Sequence, residues 1–261
     1  SGDRLRHQAA TAQRPPSTGS PGSAPPGRGA DTFASSLERR LDAAEAAAAQ
    51  PVEPLAHLDY ERELALKGDA LLAFWRHHGL AGRPQAIVPS PRPRQYRTTT
   101  RRQACLKAWG LSLGFTQDAA AGRQPMSGQR PDGVDPVPVS RLEPPEHTAI
   151  YRFVAADLSS PPARVAAAHL NHVIVRGSYE AFSVILNLDR LDAGIVRVLK
   201  VLAQRLPEVD RRILSAFAFH DPSRSEYYFE RNAPPVPVRL KRLHGPARLP
   251  VRLGGRRYDL P

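Results

Sequence analysis

The stretch from 172 to 230 constrains the fold more than any other part of the chain, because its hydrophobic period changes twice. Residues 172–176 (HVIVR) and 182–188 (FSVILNL) are short runs rich in β-branched and apolar residues, and Gly177-Ser178 between them reads as a hairpin turn. Residues 192–205 then take a helical period, with Leu191, Ile195, Leu199 and Leu202 on one face. Residues 213–219 (ILSAFAF) and 227–230 (YYFE) return to strand, separated by Asp221-Pro222, and two more short strands fit 236–240 and 249–253. Strand, strand, helix, strand, strand implies an α+β fold: a mainly antiparallel sheet with packed helices.

Upstream, the signals are more local. The run 14–29 (RPPSTGSPGSAPPGRG) cannot bury enough apolar surface to offset its ordering entropy, so a disordered N-terminal tail is predicted for residues 1 to about 35. Residues 35–50 are alanine-rich and helix-permissive, with little to pack. We therefore divide the chain into a low-complexity tail and linker over 1–53 and an α+β domain over 54–261, the latter carrying a loop at 117–147. Leu58, Leu64, Leu71 and Trp75 predict a helix, with Asp59 at its N-cap, Glu61 and Glu63 in the first turn, His77 and His78 in the last, and Gly79 as the stop. A short strand is predicted at 86–88, two more between Tyr96 and Phe115 with Trp109 as a core residue, and helical segments at 150–156 and 163–170.

The chain carries 37 Lys and Arg against 25 Asp and Glu, a net charge of +12. That balance favours polyanionic partners through counterion release, although an arginine-rich composition alone gives the same number. Cys105 is the single cysteine, which excludes an intramolecular disulfide and a cysteine-built metal site. No apolar run approaches the roughly 18 residues of a membrane span, and no secretory signal is present, so the expected location is cytoplasmic.

Charge is unevenly placed. Between Ala70 and Gln117 there is no acidic residue, while Arg76, Arg83, Arg92, Arg94, Arg97, Arg101, Arg102 and Lys107 are all cationic. Such a run is costly unless solvated or neutralised by phosphates, so Arg92, Arg94, Arg97, Arg101 and Arg102 are candidate RNA contacts. Tyr96 lies among them, as a stacking partner for an unpaired base or as a structural residue. A second cationic stretch, from Arg231 to Tyr258, suits either a binding face or a charged edge that blocks aggregation. Candidates for catalysis are poor. Cys105 has no motif partner, the pairs Glu146-His147 and His220-Asp221 stand alone, and no phosphate-loop or dinucleotide glycine pattern occurs. Hence no catalytic, cofactor-binding or metal-ligating residue is assigned.

Four blocks, in order, resemble one family. Residues 55–60 (LAHLDY) with 63–67 (ELALK), then 88–91 (VPSP) with Tyr96-Arg97, then 110–115 (GLSLGF), and last 243–246 (LHGP) with 253–258 (LGGRRY) are similar to segments of the SAM-dependent RNA (uracil-5-)methyltransferases of tRNA and rRNA. Thr98 departs from that pattern, where the family has Asn. The resemblance implies SAM as cofactor of the full-length enzyme, with catalytic cysteine and SAM-binding motifs beyond the point where this chain stops. It also implies an iron–sulfur cluster in many members. Gln50 and Glu53 stand where two of its cysteine ligands are expected, so the cluster is predicted absent. The function implied is an RNA-binding, substrate-positioning part of such an enzyme, inactive alone, with the methyltransferase domain in cis or in trans and no membrane partner. Alternatives are a non-catalytic RNA-binding accessory protein and, from another class, a DNA-binding or scaffold protein.

Overall fold

The computed structural model describes residues 32–50, 52–115, 136–224, 240–253 and 255–260. The α+β expectation holds. Six strands form one sheet in the order β2-β1-β3-β4-β5-β6, made of Thr99–Lys107 (β1), Gly110–Gly114 (β2), Leu170–Gly177 (β3), Phe182–Leu188 (β4), Ile213–His220 (β5) and Leu240–His244 (β6). All neighbours pair antiparallel except β4 and β5. A parallel pair needs a crossover, and the helix Ala193–Val209 supplies it. A separate hairpin joins Leu249–Leu253 (β7) to Arg256–Leu260 (β8).

The helices, numbered along the chain, are Phe33–Glu38 (α1), Ala43–Ala48 (α2), Tyr60–His77 (α3), Pro145–Ser159 (α4), Arg164–Ala167 (α5) and Ala193–Val209 (α6). The main core forms where α4 and α6 cover one face of the sheet. Ile150, Tyr151, Val154 and Leu158 of α4, with Ile195, Leu199, Leu202 and Leu206 of α6, meet Val173, Val175, Val184, Leu186, Ala216 and Ala218. Alternation along β3 and β4 sends every second side chain to that face, as a period of two requires. A smaller core joins Leu37, Leu55, Leu58, Leu66 and Ala70, so α1 and α3 form a second packed unit beside the sheet. Asp192 caps α6, its carboxylate accepting from Ile195 N at 2.9 Å, so the predicted helix start at 192 is the cap and the helix itself begins at Ala193.

Several expectations are corrected. Residues 86–88 form no strand: Val88 is 87% exposed and sits between prolines that hold the segment extended without a neighbour to pair with. The strand break before Trp109 falls later than predicted, since β1 runs on to Lys107 and Trp109 lies half-buried in the turn to β2 instead of in the core. Asp59 occupies the N-cap of α3 without a side-chain cap bond. The predicted tail (to residue 31), most of loop 117–147 and the strand at 227–230 fall outside the described residues.

Two glycines are set by close approach. Gly110 has φ +145°, and a Cβ there would lie 2.7 Å from Ser159 Oγ, the hydroxyl that accepts Leu111 N. Gly245, within the 243–246 block, has φ +71°, and a Cβ would fall 1.8 Å from Leu214 O. The glycine of that block is thus dictated by the backbone.

Candidate nucleic-acid interface

The arginine-dense segment does not form one uniform surface. Residues 88–98 run as an extended strap between α3 and the sheet, pinned at several points. Ser90 N donates to Tyr60 Oη at 2.6 Å. Gln95 N and Arg97 N donate to Arg141 O and Leu142 O at 3.1 and 2.9 Å. Gln95 adopts φ +57°, a left-handed conformation that costs a non-glycine residue on the order of 1 kcal/mol. Arg97 and the left-handed Gln95 flank Tyr96, which is 48% exposed.

Among the six predicted RNA-contacting residues, Arg94, Arg97 and Arg102 are committed to carboxylates. Arg102 is the clearest correction. It is 1% exposed, and its two terminal nitrogens donate to Glu143 at 2.6 and 2.7 Å. Its guanidinium lies 4.0 Å from the Phe115 ring and 4.9 Å from that of Tyr151. A side chain held this way cannot reach a phosphate. The reason is the strand period: Thr100 and Arg102 point to the helix-covered face. Arg94 bonds Glu63 at 2.7 Å and the carbonyl of Leu58 at 2.7 Å. Arg97 reaches Glu53 at 3.4 Å, and Ser140 Oγ donates to the same oxygen at 2.5 Å. These two arginines therefore fasten the helical unit to the sheet, helped by Arg141, which donates to His57 O at 3.2 Å. The acids missing from the segment itself come from outside it: Glu53, Glu63 and Glu143. Glu53, at a position where the resemblance expects a cluster ligand, is instead a buried anchor for Arg97.

Arg92, Tyr96 and Arg101 keep surface. Arg92 is exposed, with its guanidinium carbon 3.9 Å from the centre of the Tyr179 ring, which is itself 37% exposed. Arg101 is half-buried on the sheet face opposite Arg102, paired across β3 with Ile174. Near the strap, a cleft of about 590 Å³ is lined by Tyr60, Arg94, Gln95, Arg141, Thr148 and Arg152, among others. Arg141, Arg152 and Tyr179 were missed from sequence. Each lies far along the chain from the arginine-dense segment, and only folding brings it there.

Behind the cleft sits a buried polar network. Thr100 Oγ1 is 2.8 Å from His147 Nδ1 and 2.7 Å from Tyr151 Oη. Burial pushes the His147 imidazole down to about 4 and drives the Tyr151 phenol upward. Burial also raises the Glu143 carboxyl against the pull of Arg102. On the opposite sheet face His172 is buried, and burial with the nearby Arg101 charge lowers it to about 4. His147 and His172 are thus neutral structural imidazoles.

Among the described residues, no group of three or more His, Cys, Asp or Glu side chains could hold a metal ion. The β4–α6 connection is where an α/β crossover would bring a nucleotide cofactor to the strand ends. There Asp189 is already bound to His169 and Arg224, and Asp192 is the cap of α6. These groups do not fit a SAM cradle. No helix of the described residues is long and apolar enough to cross a membrane.

No protein-family model matches the chain, and comparison with curated proteins gave no match. Among solved structures, the chain is similar to the tRNA (uracil-54, C5)-methyltransferase of Pyrococcus abyssi in complex with S-adenosyl-L-homocysteine. The TM-score is 0.45 and the identity 16%, over 78% of this chain and 43% of that one. This chain thus spans less than half of that enzyme's length, and a likeness at this level assigns it neither substrate nor activity.

Proposed function

We propose that the chain is an RNA-binding, substrate-positioning part of a SAM-dependent RNA (uracil-5-)methyltransferase acting on tRNA or rRNA, with the methyltransferase domain in cis or in trans. The observation that carries the RNA reading is that Arg92, Tyr96 and Tyr179 are exposed, with Arg92 over the Tyr179 ring, and that Arg141 and Arg152 line a cleft with Arg94 and Gln95 of the same strap. Guanidinium groups there meet phosphates and exposed phenol rings meet bases, the two contact types from which RNA recognition is built. The methyltransferase assignment is supported by the ordered sequence blocks. SAM, when bound by the whole enzyme, would supply the methyl group for uracil C5. In this reading Arg94, Arg97 and Arg102 act as fasteners that shape the strap, and Arg92, Tyr96 and Arg101 meet the RNA. A cytoplasmic location belongs to the same reading.

The test is a titration of the chain with structured RNA and with duplex DNA of equal length at several salt concentrations. Tighter binding to RNA is expected, and the Arg92→Ala/Arg101→Ala variant should lower the log–log salt slope by about two. Equal affinity for duplex DNA would favour a generic polyanion binder, and an unchanged slope in the double variant would remove Arg92 and Arg101 from the interface.

A further inference from the structure

Resting on the RNA reading above, we propose that Arg92 and Tyr179 together form a stacking platform for an unpaired nucleobase. Tyr179 belongs to no sequence block, and only the fold brings it to Arg92. Both partners are held by their backbones. Ser90 Oγ donates to Arg92 O at 3.0 Å and accepts Arg92 N at 3.2 Å, while Ser90 N is tied to Tyr60. Tyr179 sits in the β3–β4 turn, where Ser178 Oγ accepts Glu180 N and Ala181 N at 3.1 and 3.3 Å. Arg212 closes the turn by donating to Tyr179 O at 3.1 Å. Gly177 leaves no room for a side chain, since a Cβ there would lie 2.0 Å from Ala181 O. The turn is therefore a rigid mount.

The charge pattern separates this pair from the other arginines of the segment. Among the described residues no carboxylate pairs with Arg92, so its positive charge faces solvent beside an exposed ring. Arg212, on the other side of the turn, is neutralised by Asp210 and Glu146 at 2.6 Å each, and Glu180 is the exposed acid nearest in sequence. A planar cation at 3.9 Å from a ring presents a flat, weakly hydrated surface. A flat π system carrying nearby negative charge completes such a stack, and a nucleobase on its phosphate backbone is that ligand. Stacking does not read base edges, so the platform accepts any base and demands only that it be unpaired.

The test uses the whole chain and three probes of equal length: a uridine dodecamer, the same ribose-phosphate backbone without bases, and duplex RNA. The wild-type chain should bind the base-bearing single strand most tightly. Tyr179→Ala should bind it about tenfold more weakly, with the baseless backbone unaffected, and Tyr179→Phe should restore the preference. Arg92→Lys keeps the charge and loses the plane, so it should lose the base preference while keeping its salt slope. Thermal unfolding of each variant confirms that the fold is kept. Retention of the base preference in both Tyr179→Ala and Arg92→Lys would overturn the platform, as would wild-type binding of the baseless backbone as tightly as the dodecamer, which leaves the RNA reading standing. If the wild-type chain binds none of the three probes, both fall.

Discussion

Arg92 and Arg102 come from one acid-free stretch, and each lies over the ring of a tyrosine, yet they do opposite work. Arg102 is sealed between Phe115 and Tyr151 with both ends of its fork on Glu143. Arg92 lies on Tyr179 at the surface, with no carboxylate among the described residues pairing with it. The difference is counter-charge and burial, neither of which is visible in local composition. A cluster of arginines in sequence is therefore two populations in space: one holds the fold and one faces outward.

The largest effect that would sharpen this contrast is expected at Arg102. Arg102→Ala strands a buried carboxylate and should cost about 3–5 kcal/mol in urea unfolding. Replacing both partners by apolar residues, Arg102→Met with Glu143→Leu, should recover most of that loss, since the pair's stabilisation is largely offset by its desolvation.

Acid should act next. His147 and His172 are held neutral down to about 4, against 6.5 in the unfolded chain. The unfolded state therefore binds more protons between those values. Stability is complete above about pH 6.5 and falls as pH drops toward 4, by up to about 3 kcal/mol for each histidine. Denaturant midpoints measured across that range should show the loss, and the double variant His147→Gln/His172→Gln should flatten it. A flat wild-type profile would place these imidazoles in water.

Smaller effects belong to the fasteners. Arg94→Ala removes the bonds to Glu63 and Leu58 O and should cost about 1–2 kcal/mol. Glu63 retains Lys67, which limits the loss. Limited proteolysis between α3 and β1 should also speed up as the helical unit loosens.

The sheet-and-helix unit was legible because its residues repeat: FSVILNL over 182–188 matches β4 residue for residue, and the period of 192–205 marks α6. Local patterns carry that information, since strand and helix periods are properties of neighbours along the chain. The site was legible only in part. Charge density marked Arg92, Tyr96 and Arg101 as candidates, but it also marked Arg102, whose acid, Glu143, lies 41 residues away. Alternation along β1 was the signal that could have separated Arg101 from Arg102. Tyr179 and Arg141 carried no such signal, being ordinary turn and loop residues until folding sets them beside the strap. The parallel β4–β5 pair was likewise hidden, because strand direction depends on the crossover and not on the strands' own residues.

The most direct test measures RNA affinity against salt concentration for Arg92→Ala and Arg102→Ala, with unfolding curves taken under the same conditions and binding scored on the folded fraction. Arg92→Ala should lower the salt slope by about one and change stability by less than about 0.5 kcal/mol. Arg102→Ala should lose stability while its folded fraction keeps the wild-type slope. The reverse pattern, with Arg102 governing the slope and Arg92 governing stability, would contradict the division of the arginines.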